Sequence, residues 1–187
     1  MITSLEKTLL QVAAFMKKQK IPYMVIGGVA NLFWGNPRTT QDIDVTILVP
    51  QTALGEVIVK IASKFSVLVK DPKVFVEQTR VLPIKSNDGV RVDIIFALLP
   101  YEEQAIKRAK NVKINAVSVK ICCAEDLILY KIISERQRDL DDVKQIIAMQ
   151  GRSLNFKYLK PLVSALAYEM GRPEIEKFFL KCIKDIT

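Results

Sequence analysis

The sequence predicts an α/β (α+β) fold, in which one helix is followed by alternating strands and helices and then by a helical region. Up to residue 123, short apolar runs with a period of two alternate with amphipathic stretches at helical spacing. From Ala124 onward the periodic stretches are helical. Half of the 187 residues are hydrophobic and 26% are charged, which is typical of a soluble globular protein with a sizeable core. We therefore expect a core over residues 1–123 and a helical C-terminal region over 124–187 that packs on this core.

The helices and strands are predicted from the spacing of hydrophobic residues and from the residues typical of helix ends and turns. Thr3 or Ser4 can cap the first helix, and Pro22 ends it. The segment 86–89 (Ser-Asn-Asp-Gly) is typical of a hairpin turn. We expect helices over 2–20, 29–34, 52–65, 100–110 and 124–150, in the stretch that continues to residue 168, and over 173–185. We expect extended segments over 23–26, 42–49, 74–83, 90–96 and 112–121.

Composition excludes several kinds of chemistry. The chain has no histidine, so Ser-His-Asp and Cys-His catalysis and histidine-ligated zinc are excluded. The three cysteines are odd in number and form no Cys-x-x-Cys pair, which favours neither disulfides nor a zinc site. A net charge of +8 favours polyanionic partners. The apolar runs are too short to span a bilayer and the N-terminus does not resemble a signal peptide, so we expect a cytoplasmic protein without membrane contact.

The stretch from Tyr23 to Val49 contains the strongest functional pattern. Gly27-Gly28 ends a short apolar strand and opens a helix, so that backbone N–H groups can approach an anion. Asp42 and Asp44 stand in the next predicted strand, whose period of two places both carboxylates on one face. Two hard oxygen donors near a glycine anion cradle suit a divalent metal that carries phosphate. The alternative is an ordinary solvated strand end.

This arrangement resembles the nucleotidyltransferase superfamily with a DNA polymerase β-like fold. Its signature is a Gly-Gly or Gly-Ser pair, then Asp-x-Asp, then a third carboxylate on a later strand. The resemblance implies a mixed β-sheet flanked by helices and a two-ion Mg²⁺ mechanism in which Asp42, Asp44 and a third carboxylate hold metal. Asp93 stands in an otherwise apolar strand, on one face with Arg91, and is the candidate for the third position, as metal ligand or general base.

Further residues are candidates for nucleotide binding. Gly27 and Gly28 would contact phosphates, and Arg38 and Thr39, just before the aspartates, could touch phosphate or ribose.

The segment from Glu125 to Asp142 resembles the E-D-L-x-x-x-K … R-D-x-x-D block of AbiEii-like toxin-type nucleotidyltransferases. This resemblance implies that Lys131 contacts nucleotide phosphates and that Asp139 assists it. The alternatives are that Asp139 is a helix N-cap with Asp142 at N3, and that Lys131 is a solvated helix lysine.

The sequence therefore favours an enzyme that moves a nucleoside monophosphate from an NTP donor to a hydroxyl. The acceptor is tRNA, a protein or a small molecule such as an aminoglycoside or lincosamide, and the toxin-type block also implies a possible antitoxin partner. Two alternatives stay open. One is a non-catalytic protein of the same fold that binds nucleotide or a partner, and the other is a basic RNA-binding module.

Overall fold

The computed structural model describes residues 2–184 and 186, and it divides into two compact units. Unit 1 comprises Met1–Val29 and Thr39–Cys122, and unit 2 comprises Ala30–Arg38 and Cys123–Thr187. The first of the three boundaries between these ranges falls within one helix, α2 (Gly27–Trp34). Asp185, the last residue of the helix expected over 173–185, lies outside the described residues.

Unit 1 is built on a mixed sheet. Its helices are α1 (Ser4–Lys18), the first turn of α2, α3 (Leu54–Ala62), α4 (Pro72–Thr79) and α5 (Pro100–Arg108). Its strands are β1 (Tyr23–Ile26), β2 (Asp42–Ile47), β3 (Ser66–Val67), β4 (Val81–Lys85), β5 (Arg91–Phe96), β6 (Lys110–Ile114) and β7 (Val117–Ile121). Within the described residues these seven strands form one sheet in the order β3-β4-β5-β2-β1-β7-β6.

The sheet combines both kinds of strand pairing. β2 pairs with β5, and β1 with β7, in parallel, whereas the other neighbouring pairs are antiparallel. The central strands β1, β2 and β5 supply much of the core, and their apolar side chains are fully or almost fully buried, apart from the half-buried Ile95 of β5. The prediction of a mixed α/β fold with a sheet flanked by helices is confirmed.

Unit 2 is helical. Its described residues form the remainder of α2, a short 3-10 helix (Gly151–Ser153) and the α-helices α6 (Ala124–Ile132), α7 (Gln137–Gln150), α8 (Phe156–Glu169) and α9 (Pro173–Ile183). The helix expected over 124–150 is in fact α6 and α7, separated by a break at residues 133–136. No helix in the described part of the chain is long and apolar enough to cross a membrane.

The N-terminal cap of the first helix and the 86–89 turn form as expected, whereas the helix expected over 2–20 ends at Lys18, before Pro22 is reached. Thr3 caps α1 in a capping box, because its hydroxyl accepts the N–H of Glu6 at 3.2 Å and the Glu6 carboxylate accepts the N–H of Thr3 at 2.8 Å. The turn between β4 and β5 is closed by the Gly89 N–H, which donates to the Ser86 carbonyl at 3.0 Å. The helix expected from Val29 begins two residues earlier, at Gly27.

Two predicted extended segments are wrong. Residues 72–79, which overlap the segment expected as extended over 74–83, form helix α4, because Pro72 stands in its first turn and the Asp71 carboxylate accepts the Val74 N–H at 3.2 Å. The segment expected as one strand over 112–121 is the β6–β7 hairpin. Asn115 and Ala116 both have positive φ, at 47° and 67°, which is the conformation of a tight hairpin turn.

Candidate active site

Three carboxylates lie on one face of the sheet in unit 1. The parallel register between β2 and β5 pairs Asp44 with Asp93 and Asp42 with Arg91. The intervening Ile43 is fully buried on the opposite face. Neighbouring strands are about 4.8 Å apart, so the register brings Asp44 next to Asp93 with Asp42 two residues before Asp44. Asp42 is exposed, whereas Asp44 and Asp93 are half-buried.

The glycine pair is required by the space around these carboxylates. Gly27 follows the residue of β1 that pairs with Asp44, and its φ is +63°. A Cβ on Gly27 would lie only 1.8 Å from Asp44 Oδ2. A Cβ on Gly28 would lie 2.4 Å from Thr40 Oγ1. The backbone at the start of α2 therefore approaches these side chains at a distance that only glycine permits.

Asp42 and Asp93 accept hydrogen bonds from neighbours on their own segment. Thr40 Oγ1 donates to Asp42 Oδ1 at 3.2 Å. Arg91 Nε donates to Asp93 at 3.0 Å (Oδ1) and 3.3 Å (Oδ2). Arg91 is the partner that sequence reasoning did not assign, although the period of two had already placed it on the face of Asp93.

The carboxylate face fits a divalent cation by its donor chemistry, since carboxylate oxygens are the ligands that Mg²⁺ prefers. The missing side chain of Gly27 lets the Asp44 carboxylate lie against the start of α2. A helix N-terminus offers backbone N–H groups to an anion, such as a phosphate carried by a metal. Among the described residues, no three acidic or cysteine side chains are close enough together to hold an ion in this conformation. Asp93 would have to exchange the guanidinium of Arg91 for a metal.

The other predicted charged residues lie in unit 2, where they form a buried ion-pair network. Lys131 donates to Asp139 at 2.8 Å and to Asp142 at 2.7 Å. The Arg38 guanidinium forks onto Asp142, with Nη2 at 2.9 Å from Oδ2 and Nε at 3.1 Å from Oδ1. Asn31 adds a longer contact to Asp142 at 3.4 Å. Lys131, Asp139 and Asp142 are buried, with 5%, 4% and 6% of their surface exposed.

The basic partners of Asp139 and Asp142 favour the ionised form of both carboxyl groups. Burial alone would raise the pKa of Asp139, but hydrogen bonds and charge from Lys131, with Ser134 and Arg136, outweigh it and lower the pKa below its ordinary value. Burial likewise opposes ionisation of Asp142, and the hydrogen bonds and charges of Arg38 and Lys131 lower the pKa of that carboxyl.

The two alternative roles for these residues are therefore wrong. Helix α7 begins at Gln137 with Arg136 as N-cap, so Asp139 is not a helix N-cap. Lys131 is buried and doubly paired, so it is not a solvated helix lysine.

The predicted site residues therefore fall into two sets. Unit 1 contains Gly27, Gly28, Thr39, Asp42, Asp44 and Asp93, and unit 2 contains Arg38, Lys131 and Asp139. In unit 1 the sheet register and the β1–α2 junction bring together the glycines and aspartates, while Thr39 is exposed. In unit 2 Asp142 joins Arg38 to Lys131, a central role that the sequence pattern only hinted at.

A family model described as "Nucleotidyl transferase of unknown function (DUF2204)" matches residues 5–177 of the chain. No protein of curated function matches the sequence.

Several solved structures share the fold. One is an antigenic nucleotidyltransferase-like protein from Paracoccidioides brasiliensis, with a TM-score of 0.54, 19% identity, and coverage of 94% of this chain and 91% of that chain. A second is ANT(2")-Ia in complex with adenylyl-2"-tobramycin, with a TM-score of 0.59, 15% identity, and coverage of 90% and 99%. A third is the lincosamide antibiotic adenylyltransferase LnuA with lincomycin bound, with a TM-score of 0.53, 18% identity, and coverage of 77% and 97%. At these identities the likeness shows the fold alone.

Proposed function

This chain belongs to the nucleotidyl transferase family whose model matches residues 5–177, and we propose that it moves a nucleoside monophosphate from an NTP to a hydroxyl acceptor. It is a nucleotidyltransferase by family, and the proposal specifies the transferred group and the residues that act. The observation that carries it is the in-register pairing of Asp44 with Asp93, beside a glycine whose missing side chain leaves room for Asp44.

The proposed residues would hold two Mg²⁺ ions, with Asp42 and Asp44 as ligands to one and Asp93 shared with the second. When bound, the metal neutralises triphosphate charge and lowers the pKa of the acceptor hydroxyl. A single carboxylate could not supply protein ligands to two octahedral Mg²⁺ ions, which is why the same-face position of all three carboxylates matters.

The chain's own groups position the donor. The N–H groups of Gly27 and Gly28, in the first turn of α2, would donate to the donor's phosphates, and the positive end of the helix dipole favours phosphate there. Arg38 and Thr39 are proposed as further contacts to phosphate or ribose.

The reaction balances without a further reactant. The acceptor oxygen forms a bond to the α-phosphorus, and the bond from that phosphorus to the α,β-bridging oxygen breaks. Pyrophosphate leaves with the electron pair, and the hydroxyl proton passes to Asp93 or to solvent.

The toxin-type assignment is a narrower proposal, with tRNA or protein as acceptor and an antitoxin as possible partner. It rests on the resemblance of residues 125–142 to the AbiEii-like block. For Lys131 and Asp139 the mutual pairing supports a role in holding unit 2 together. Their contact with nucleotide stays a prediction, because Lys131 would have to leave two carboxylates to reach a phosphate.

The proposal is tested by label transfer. The purified chain is incubated with Mg²⁺ and each NTP, labelled in turn on the α- or γ-phosphate, together with total tRNA, protein alone, tobramycin or lincomycin. We expect label from the α-position, and none from the γ-position, to appear on one acceptor. Asp44→Asn should reduce transfer by about 1000-fold, since it weakens a metal site that would stabilise the charge of the transition state by several kcal/mol.

The matched control is Asp141→Asn, which changes an exposed aspartate of α7 paired with Lys144 at 2.9 Å. It should leave transfer unchanged. Equal transfer by wild type and Asp44→Asn would contradict the proposal. Mg²⁺-dependent NTP binding with no transfer to any acceptor would favour the non-catalytic alternative.

A further inference from the structure

A basic concavity lies at the opposite end of β1 from Gly27. We call it the lysine cleft, and it has a volume of about 370 Å³. It is formed at the C-terminal end of α1, the start of β1 and the β6–β7 hairpin, all within unit 1. Its polar lining residues are Lys17, Lys20, Tyr23, Asn111, Ser118 and Lys120. The four residues of β1 place it about 10 Å from the glycine end of that strand.

The charge of the lysine cleft is uncompensated. Three lysines line it, and among the described residues no aspartate or glutamate does. Lys17 and Lys20 are exposed and Lys120 is half-buried, and none of the three forms an ion pair with another described residue. Three like charges facing one concavity repel one another unless an anion is present. The cleft is therefore suited to a polyanion.

Neutral donors complete the cleft. The Tyr23 hydroxyl accepts the Lys120 N–H at 3.3 Å, so its own proton is available to an acceptor. Ser118 donates to Asn111 Oδ1 at 3.4 Å, which leaves the Asn111 amide group to donate. Ammonium groups with hydroxyl and amide donors are the set that recognises phosphate oxygens.

The cleft offers a nucleobase no aromatic ring on which to stack. Its tyrosine is only 6% exposed, so the ring cannot serve as a stacking platform. Phosphate contacts without stacking or base-edge contacts carry no sequence information. Recognition here would be of the backbone and not of the base.

The basic surface continues beyond this cleft. The last turn of α1 carries two lysines, and Lys18 lines a second concavity of about 420 Å³ together with Lys64. The two concavities share no lining residue, but both are lined in part by the C-terminal half of α1. Lysines in two places suit an extended chain of phosphates better than a single anion. The net charge of +8 agrees with such a partner.

We propose that the lysine cleft binds the phosphate backbone of an RNA, and that this RNA is the acceptor of the transferred nucleotide. The second part of this inference rests on the proposed transfer reaction. The contact is electrostatic and independent of sequence. It docks the strand and takes no part in the chemistry.

The test measures RNA binding as a function of salt. Fluorescence anisotropy follows a fluorescein-labelled single-stranded RNA of 20 nucleotides and mixed sequence from 50 to 300 mM KCl. The cleft variant is Lys17→Ala/Lys20→Ala/Lys120→Ala. The matched control, Lys157→Ala/Lys160→Ala/Lys177→Ala, removes the same three charges from α8 and α9 of unit 2.

We expect the cleft variant to bind RNA at least about tenfold more weakly and to lose about 2 from the slope of log K against log salt, since each single-strand phosphate contact contributes about 0.7. The control should retain the wild-type slope, and replacement of the three cleft lysines by arginine should largely restore it. Circular dichroism establishes that each variant is folded. Equal slopes for the cleft variant and the control would overturn the proposal.

Other arms separate the competing ligands. Displacement of the RNA by inorganic phosphate at constant ionic strength would show a site for single anions and overturn the proposal. The proposal would also be overturned if the binding of vesicles with 30% phosphatidylserine depended more strongly on the cleft lysines than the binding of RNA does.

The Asp44→Asn variant separates this inference from the proposed function. RNA binding that is normal in Asp44→Asn and weak in the cleft variant supports the lysine cleft, even if no transfer is found. Transfer to RNA with an unchanged KM in the cleft variant would refute the cleft and leave the transfer reaction standing.

Discussion

The two sets of acidic side chains in this protein differ in how their charge is compensated. In unit 1, Asp42, Asp44 and Asp93 share an accessible face of the sheet, and the cationic partner of Asp93, Arg91, is itself 57% exposed at its side chain. In unit 2, Asp139 and Asp142 are buried and paired with lysine and arginine. The same residue type is thus partly open to solvent in one place and buried with cationic partners in the other.

This difference separates a site from a structural support. A buried carboxylate that loses its partner costs several kcal/mol, so a network such as that of unit 2 is held closed by its own energetics. An exposed carboxylate contributes little to the free energy of unfolding and can exchange its partner for a ligand. We therefore expect substitutions in unit 2 to act on stability and those in unit 1 to act on activity.

The largest expected effect is that of Asp142→Ala. This change leaves Lys131 with one carboxylate and removes the carboxylate to which the Arg38 guanidinium donates. Loss of one partner from a buried ion pair lowers the free energy of unfolding by about 3–5 kcal/mol. Urea denaturation followed by circular dichroism measures the change in the free energy of unfolding. The neighbouring Asp141→Ala, on the exposed side of the same helix, should leave the denaturation midpoint unchanged.

The pH dependence of stability sharpens this prediction. The pKa values of Asp139 and Asp142 are lowered in the folded state, so their stabilisation is complete above the unfolded value of about 3.9 and is lost as the pH falls through the folded values. The difference in stability between wild type and Asp142→Asn should therefore be largest near neutral pH and should narrow below about pH 4. A gap that stays constant as the pH is lowered to about 2 would show that Asp142 does not stabilise by its charge.

Gly27→Ala should have the next largest effect, and on activity. The added Cβ would lie 1.8 Å from Asp44 Oδ2, so the carboxylate must move. Displacement of a catalytic group by about 1 Å costs about 100-fold in rate, and we expect at least this loss of transfer. Steady-state transfer of the α-labelled phosphate measures it.

Gly171→Ala is the matched control for the backbone. Gly171 has φ +64°, almost the same as Gly27 at +63°, but a Cβ there would meet nothing within 4 Å. Both variants carry the same left-handed strain of about 1–2 kcal/mol, and only Gly27→Ala displaces a carboxylate. If both variants lost transfer equally, strain and not the position of Asp44 would explain the result.

Local patterns sufficed to predict the carboxylate face. A period of two assigned Asp42 and Asp44 to one side of a strand, and Asp93 and Arg91 to one side of another, and both arrangements are observed. The glycine pair marked the strand–helix junction, although the helix begins at the first glycine and not after it. These features depend on neighbours within a few residues, which a sequence displays directly.

The features that sequence reasoning does not capture depend on competing local signals or on distant contacts. Val74 and Val76 favour a strand, but a cap at Asp71 and Pro72 in the first turn impose a helix. The turn at Asn115–Ala116 contains no glycine, so the sequence does not mark where β6 ends and β7 begins. The pairing of Arg38 with Asp142 joins residues 104 positions apart, and no periodicity can indicate it.

The smallest expected effect is that of replacing Arg91, which is the cationic partner of one carboxylate in unit 1. Its guanidinium holds Asp93 at 3.0 Å and competes with any cation for that carboxylate. An exposed ion pair contributes about 0.2–1 kcal/mol, so its removal in Arg91→Gln should strengthen Mn²⁺ binding by no more than about fivefold. Electron paramagnetic resonance of free Mn²⁺ measures the change in affinity without nucleotide or turnover, and Arg152→Gln, at an exposed position, controls for the lost positive charge.

A stronger Mn²⁺ affinity in Arg91→Gln than in Arg152→Gln would show that Asp93 exchanges its partner within the protein for metal. Equal Mn²⁺ affinities in the two variants would show that Asp93 keeps its partner within the protein, as Asp139 and Asp142 do. Asp42 and Asp44 would then be the carboxylates that hold the cation.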